Sequence, residues 1–279
     1  FISSPLPTSG CMISGTGEVR PRTKLSTAAS PKAPTPDRVL QTFNTWAFKR
    51  QQPTEPELLL ETIAAAIGRS EPLPFVLYWG KGPRSHIAAP DLECLDYLRK
   101  MTSRIEAVYT PGAAVTLIFT DTHASHNGHA PGAIARYYAE VAAAARERGF
   151  NGEYLSRLVA SVTGRVAVAQ PGVAILDKLK GCAAKWYRGG ASVEAGAAEY
   201  FRMNMAERQA IEHAYPHAIF VTFNSAEYRE LFPPTLPVFY MYSLRKGVAV
   251  KPWFMDETAV PAEDCLVADG HGGAKRAQA

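Results

Sequence analysis

Cysteine is scarce in this sequence. Cys11, Cys94, Cys182 and Cys265 are spread over 279 residues with no CxxC pair. That excludes a disulfide-built scaffold and a cysteine zinc site, and a reducing, cytoplasmic setting is expected. Long apolar runs are also missing: none approaches the roughly 18 residues of a membrane-spanning helix. No GxxxxGK[ST] loop occurs, so hydrolysis of a nucleoside triphosphate has no support. No GxSxG elbow is present and no GxGxxG opens a helix. The formal net charge is only +4. The basic residues are scattered without a recognition motif, so neither nucleic acid nor membrane is expected as a partner.

The chain does contain enough apolar material for a core. Hydrophobic residues make up 47% of it and charged residues 20%, which excludes wholesale disorder. Pro, Gly, Ser and Thr occupy 20 of the first 36 positions, and Phe1 is the only aromatic there. Such a segment cannot bury enough surface to offset its ordering entropy, so residues 1–36 are expected to be a disordered lead. No apolar h-region precedes Arg20, so no secretory signal is expected. Residues 37–258 are expected to form a single α/β domain, and 259–279 a flexible tail.

Within that domain, strands and helices alternate. Leu73–Trp79, Val115–Thr120 and Ala218–Phe223 read as short buried strands. Apolar spacing predicts helices over 38–50, after Thr54-Glu55-Pro56-Glu57 (a capping box), after Asp91, near 132–148 and near 192–214. Pro111-Gly112 marks a turn. The 152–188 region should hold short helices and a further strand at Arg165–Ala169. Val238–Ser243 and Val248–Lys251 read as a C-terminal β-hairpin around Leu244-Arg245-Lys246-Gly247. The pattern predicts an α/β fold: a mixed, mostly parallel sheet flanked by helices, Rossmann-like, closing in that hairpin.

In such a sheet, ligands bind beyond the carboxyl ends of the strands. Gly80-Lys81-Gly82-Pro83-Arg84 follows the first strand, and its two cations suit a phosphate or carboxylate. The bland alternative is a solvated turn. Asp121 follows the second strand in a His-rich loop with His123, His126 and His129. If that loop is extended, Asp121 and His123 point the same way and could hold iron or zinc, with His126 as a further ligand. The alternative is an exposed polar loop. Asn224 and Ser225 follow the third strand. Tyr240, Tyr242, Trp253 and Phe254 suit either a core or an apolar pocket. Glu93 and Glu140 read as solvated helix faces, and Cys94 and Cys182 as small buried hydrophobes.

The order of four blocks resembles the pyoverdine/dityrosine biosynthesis family, the isocyanide (isonitrile) synthases. Phe75-Val76-Leu77, a Lys in a Pro-containing loop and Pro90-Asp91-Leu92 form the first. Val108-Tyr109-Thr110-Pro111-Gly112-Ala113 with a strand ending in Asp121 is the second. Tyr215-Pro216-His217-Ala218-Ile219 and Pro252-Trp253 are the third and fourth. The resemblance spans roughly residues 38–255. It implies a Rossmann-like fold and an enzyme of specialised metabolism that turns the amine of an amino acid, usually tyrosine or tryptophan, into an isocyanide. The carbon would come from ribulose 5-phosphate, with no cofactor. Lys81 and Asp121 match the family pattern and would be catalytic. Lys81 and Arg84 would hold the phosphate, and Asn224 and Trp253 would contact substrate.

The chain also departs from the family. Ser-Pro-Asn after the Lys is here Gly82-Pro83-Arg84, and Asp-Gly-Arg is Asp121-Thr122-His123. Leu-Ser-Ile-His is Val221-Thr222-Phe223-Asn224, and Thr-Pro-Trp-His is Lys251-Pro252-Trp253-Phe254. The acid expected near position 94 is Cys94. Two imidazoles are thus replaced, which marks a divergent member. Two other readings follow from the residues: a non-haem metalloenzyme built on Asp121 and His123, and a non-catalytic binding homologue.

Overall fold

Leu73–Trp79 is apolar at every position, with no polar alternation. A strand of that kind must be covered on both faces. In the computed structural model it is the central strand, β1, of a five-stranded parallel sheet. The structure describes residues 33–80, 86–162, 170–187, 190, 192–241, 266–268 and 274–276.

The other strands are β2 (Ala113–Phe119), β3 (Asn151–Tyr154), β4 (Ile219–Thr222) and β5 (Val238–Tyr240), in the order β3-β2-β1-β4-β5. The chain first builds outward from β1 through β2 to β3, then crosses over to pair β4 with the other side of β1. Phe75 thus lies between Val115 and Ile219. This is the doubly wound strand order, whose switch point lies between β1 and β4.

Alternate residues of each strand feed separate cores. Phe75, Leu77 and Trp79 of β1 pack with Leu117, Val221 and Phe239 under the helices α1 (Pro36–Phe43), α2 (Pro56–Arg69), α3 (Ala89–Glu106) and α5 (Pro131–Glu147). Val76, Ile118, Phe220 and Val238 face the opposite way, toward α6 (Leu155–Val162), α7 (Val173–Trp186) and α8 (Val193–Ala214). A three-layer α/β/α sandwich results. Among the described residues, no helix is long and apolar enough to cross a membrane.

Several expectations need correction. The sheet is wholly parallel. Val238–Tyr240, expected as half of an antiparallel hairpin, pairs in parallel with β4. The other half, Val248–Lys251, lies outside the described residues, as does Arg165–Ala169. An antiparallel pair does occur further on, between β6 (Leu266–Ala268) and β7 (Ala274–Arg276). The box at Thr54 does not form: α2 is capped at Glu55 without a side-chain bond, and Thr54 Oγ1 instead lies 3.0 Å from Tyr240 Oη. Asp91 sits in the first turn of α3, where its carboxylate accepts from the Ala88 N–H.

β3 went unread because Asn-Gly-Glu-Tyr has neither alternation nor branching. Packing forms it instead. A Cβ on Gly152 would stand 2.6 Å from the Phe119 ring, so only glycine lets this edge lie against β2. The Pro111-Gly112 turn does form, with Gly112 at φ +72°.

Candidate active site

The carboxyl ends of β1, β2 and β4 open into one cleft. It is lined by Tyr78 and Gly80 from β1, Thr120 after β2, and Thr222, Phe223 and Asn224 after β4. Tyr200 and Asn204 of α8 form its wall, and Phe232 closes one side. It therefore lies at the switch point, where parallel α/β sheets place ligands.

Immediately after β2 the chain turns into a six-residue helix, α4 (Asp121–His126), where the sequence suggested an extended loop. That changes the geometry of the His-rich segment. Residues two apart on a helix point in different directions. The Asp121 carboxylate accepts from the Ser156 N–H at 3.0 Å, at the start of α6, and does not line the cleft. His123 turns inward, is buried and lines the cleft. His126 packs against the Tyr187 ring, with centroids 5.0 Å apart. Burial, followed by neighbouring His123, holds the His126 imidazole below its ordinary pKa. The three expected ligands thus face three different environments. Among the described residues, no group of three His, Cys, Asp or Glu side chains is arranged to hold a metal.

His123 has a partner that the sequence reading missed. Its Nε2 lies 2.6 Å from Oε2 of Glu207, a wholly buried residue on α8. The other carboxylate oxygen of Glu207 accepts from the Thr122 hydroxyl at 2.7 Å. With Nε2–H donated to the carboxylate, Nδ1 of the neutral ring keeps its lone pair and can take a proton. Tyr78 and Tyr200 flank the ring, with centroids 6.1 and 5.2 Å away. Burial first, and then the charge of Glu207, push both phenols well above their usual pKa, so they stay neutral. A carboxylate taken wholly out of water needs a reason, and a titratable neighbour at a cleft supplies one.

A signal for Glu207 was present. Ala197, Tyr200, Asn204, Glu207 and Ile211 recur at helical spacing on the buried stripe of α8. Two polar residues in an apolar register mark a site as readily as a motif does.

Asn224 lines the cleft, as the strand-end argument required. Lys81, Arg84 and Trp253 lie outside the described residues, although Gly80, the residue before Lys81, is on the cleft. Tyr240 belongs to the core and is completely buried, while Tyr242 and Phe254 are also outside the described set. Cys94 is buried and Cys182 half-buried. Glu140 is more than a solvated face. It accepts from the Ile87 N–H at 2.6 Å and from His86 at 2.7 Å, tying down the chain where it re-enters after residues 81–85.

No family model and no curated protein matches the chain. Among solved structures, the crystal structure of the PvcA protein from Pseudomonas aeruginosa matches 86% of this chain and 98% of its own, with a TM-score of 0.55 and 15% sequence identity. At that identity the likeness establishes a shared α/β fold.

Proposed function

We propose that this protein is an isonitrile synthase-like enzyme that joins the amine of an amino acid to ribulose 5-phosphate in the switch-point cleft. The His123–Glu207 pair beside the cleft carries this reading. The four-block resemblance supplies the reaction class, and the fold shared with PvcA supports the architecture that the resemblance implies.

The first chemical need is a free amine. An ammonium must lose a proton before its nitrogen can attack the sugar ketone. His123 takes that proton, and Glu207 fixes the tautomer and stabilises the imidazolium that forms. Lys81 and Arg84 bind the phosphate. Asn224 and Trp253 contact substrate. Asp121, whose carboxylate is engaged by Ser156, holds α4 against α6 and so positions His123. Condensation releases water. The adduct then fragments by breaking the carbon–carbon bonds between the former ketone carbon and its sugar neighbours, leaving that one carbon on nitrogen and releasing the remaining sugar fragments, as the resemblance implies.

The test is direct. Full-length protein is incubated with ribulose 5-phosphate and either L-tyrosine or L-tryptophan, and the mixture is analysed by mass spectrometry. An isonitrile product is expected. Folded protein that yields none with any common amino acid overturns the assignment, and ligand binding without turnover would favour a non-catalytic homologue.

A further inference from the structure

Two asparagines on the cleft have buried polar atoms that nothing among the described residues satisfies. Oδ1 of Asn127, just after α4, and Oδ1 of Asn224, just after β4, are shielded from solvent and accept no hydrogen bond. Both residues line the same cleft. An unpaired buried carbonyl oxygen is costly, and native proteins retain few. Here two come from different elements and converge on one space. A half-turn of either carboxamide exchanges its oxygen and nitrogen ends, so each can present an acceptor to a molecule entering the cleft.

The rest of the lining indicates what that molecule brings. Among the described residues it contains no lysine or arginine. Tyr78, Tyr200, Phe223 and Phe232 are among the residues that line the space. Charges beside it include the Glu207 carboxylate behind His123, whose field reaches the phenols of Tyr78 and Tyr200, and the Arg50 guanidinium, which donates to the Phe223 carbonyl at 3.0 Å. Among the described lining residues, none offers a phosphate a cation. They favour a group with several N–H donors and positive charge, which acceptor oxygens and aromatic faces both attract.

We infer that Asn127 and Asn224 are the specificity pair of the cleft, accepting hydrogen bonds from a primary ammonium group of a small aromatic ligand. The inference deepens the proposed function by assigning the described cleft to the amine partner, and its test needs no turnover.

Binding of tyramine is compared by calorimetry with that of 4-ethylphenol, the same skeleton without the amine. The wild-type chain should bind tyramine at least about tenfold more tightly, the scale of one hydrogen bond to a charged group. Asn127→Leu and Asn224→Leu should each remove most of that preference. Each should also raise the melting temperature of the ligand-free protein, because an apolar group of similar volume replaces an unsatisfied one. Asn224→Asp keeps the acceptors and should keep or strengthen the preference, which also covers the case of a leucine variant that fails to fold. Equal affinity for the two probes, no binding of either to folded protein, or a preference that survives both leucine substitutions would overturn the inference. Amine selectivity without an isonitrile product would leave it standing while the proposed reaction fell.

Discussion

Among the described residues, two carboxylates are completely buried, one on each face of the sheet. Asp91, on α3, accepts from the Ala88 N–H and from the Tyr137 hydroxyl, both at 3.0 Å. Tyr137 in turn accepts from Trp79 Nε1 at 3.2 Å. Trp79 ends β1 and Ala88 precedes α3, so this network ties together the two ends of the connection between them. Tyr137 does not titrate in the physiological range, because burial and the nearby Asp91 charge raise its pKa far above normal. Glu207 is equally buried, but one partner is an imidazole and the surroundings open on a cleft. Equal burial therefore carries different meanings. A buried acid held by backbone and phenol groups fixes a fold, whereas one held by histidine at a strand-end cleft is, on the proposed function, the partner of a proton-transfer group.

The strongest test of this contrast is to remove the acid on the cleft side. Glu207→Gln and His123→Ala should each lower isonitrile formation by about 10²–10⁴, the usual contribution of a positioned general base. Their thermal unfolding should move far less than their rates. Equal losses of stability and activity would make Glu207 a structural acid like Asp91. The ¹⁵N shifts of the His123 ring provide a reading independent of turnover: the Nε2–H tautomer should dominate in the wild type and lose that dominance in Glu207→Gln.

The opposite pattern is expected across the sheet. Asp91→Ala leaves the part-buried Ala88 N–H and the buried Tyr137 hydroxyl without their carboxylate and should cost about 3 kcal/mol. That corresponds to a melting-temperature drop of roughly 6–12 °C for a domain of this size. Activity per folded molecule, measured well below the transition, should change little. Tyr137→Phe is milder: it removes one donor from Asp91 and leaves the Trp79 N–H unpaired, for about 1–2 kcal/mol. A Tyr137→Phe variant as stable as the wild type would show that the network adds nothing to the fold.

The same contrast explains which parts were legible in the sequence. β1 could be read because a strand covered on both faces needs every position apolar, and Leu73–Trp79 has that form. Helix α8 was legible from its stripe, and the strand-end rule placed Asn224 on the cleft. β3 was not legible, since its stability comes from Gly152 seated on Phe119, a contact between distant residues. α4 was misread because six residues of Asp, Thr, Ala, Ser and His lack an apolar period. The dyad itself joins residues 84 positions apart. No local pattern encodes such a pair, and only the charged residue on an apolar stripe hinted at it.

A third carboxylate extends the contrast to solvent and yields the smallest effect. Glu140, on α5, holds the Ile87 N–H and His86. The Ile87 N–H first, then the bond to His86, keeps its pKa below the ordinary 4.5. An acid whose folded pKa is depressed stabilises the native state above its unfolded pKa, and that contribution is lost as pH falls through the folded value. Melting temperature should therefore hold steady from neutral pH down to the ordinary carboxylate range and decline below it. In Glu140→Gln the part of that decline due to this residue should vanish, with a small drop at pH 7 from the weakened hold on Ile87. If Glu140→Gln leaves the whole acid limb as it was, the bonds to Ile87 and His86 do not hold in solution.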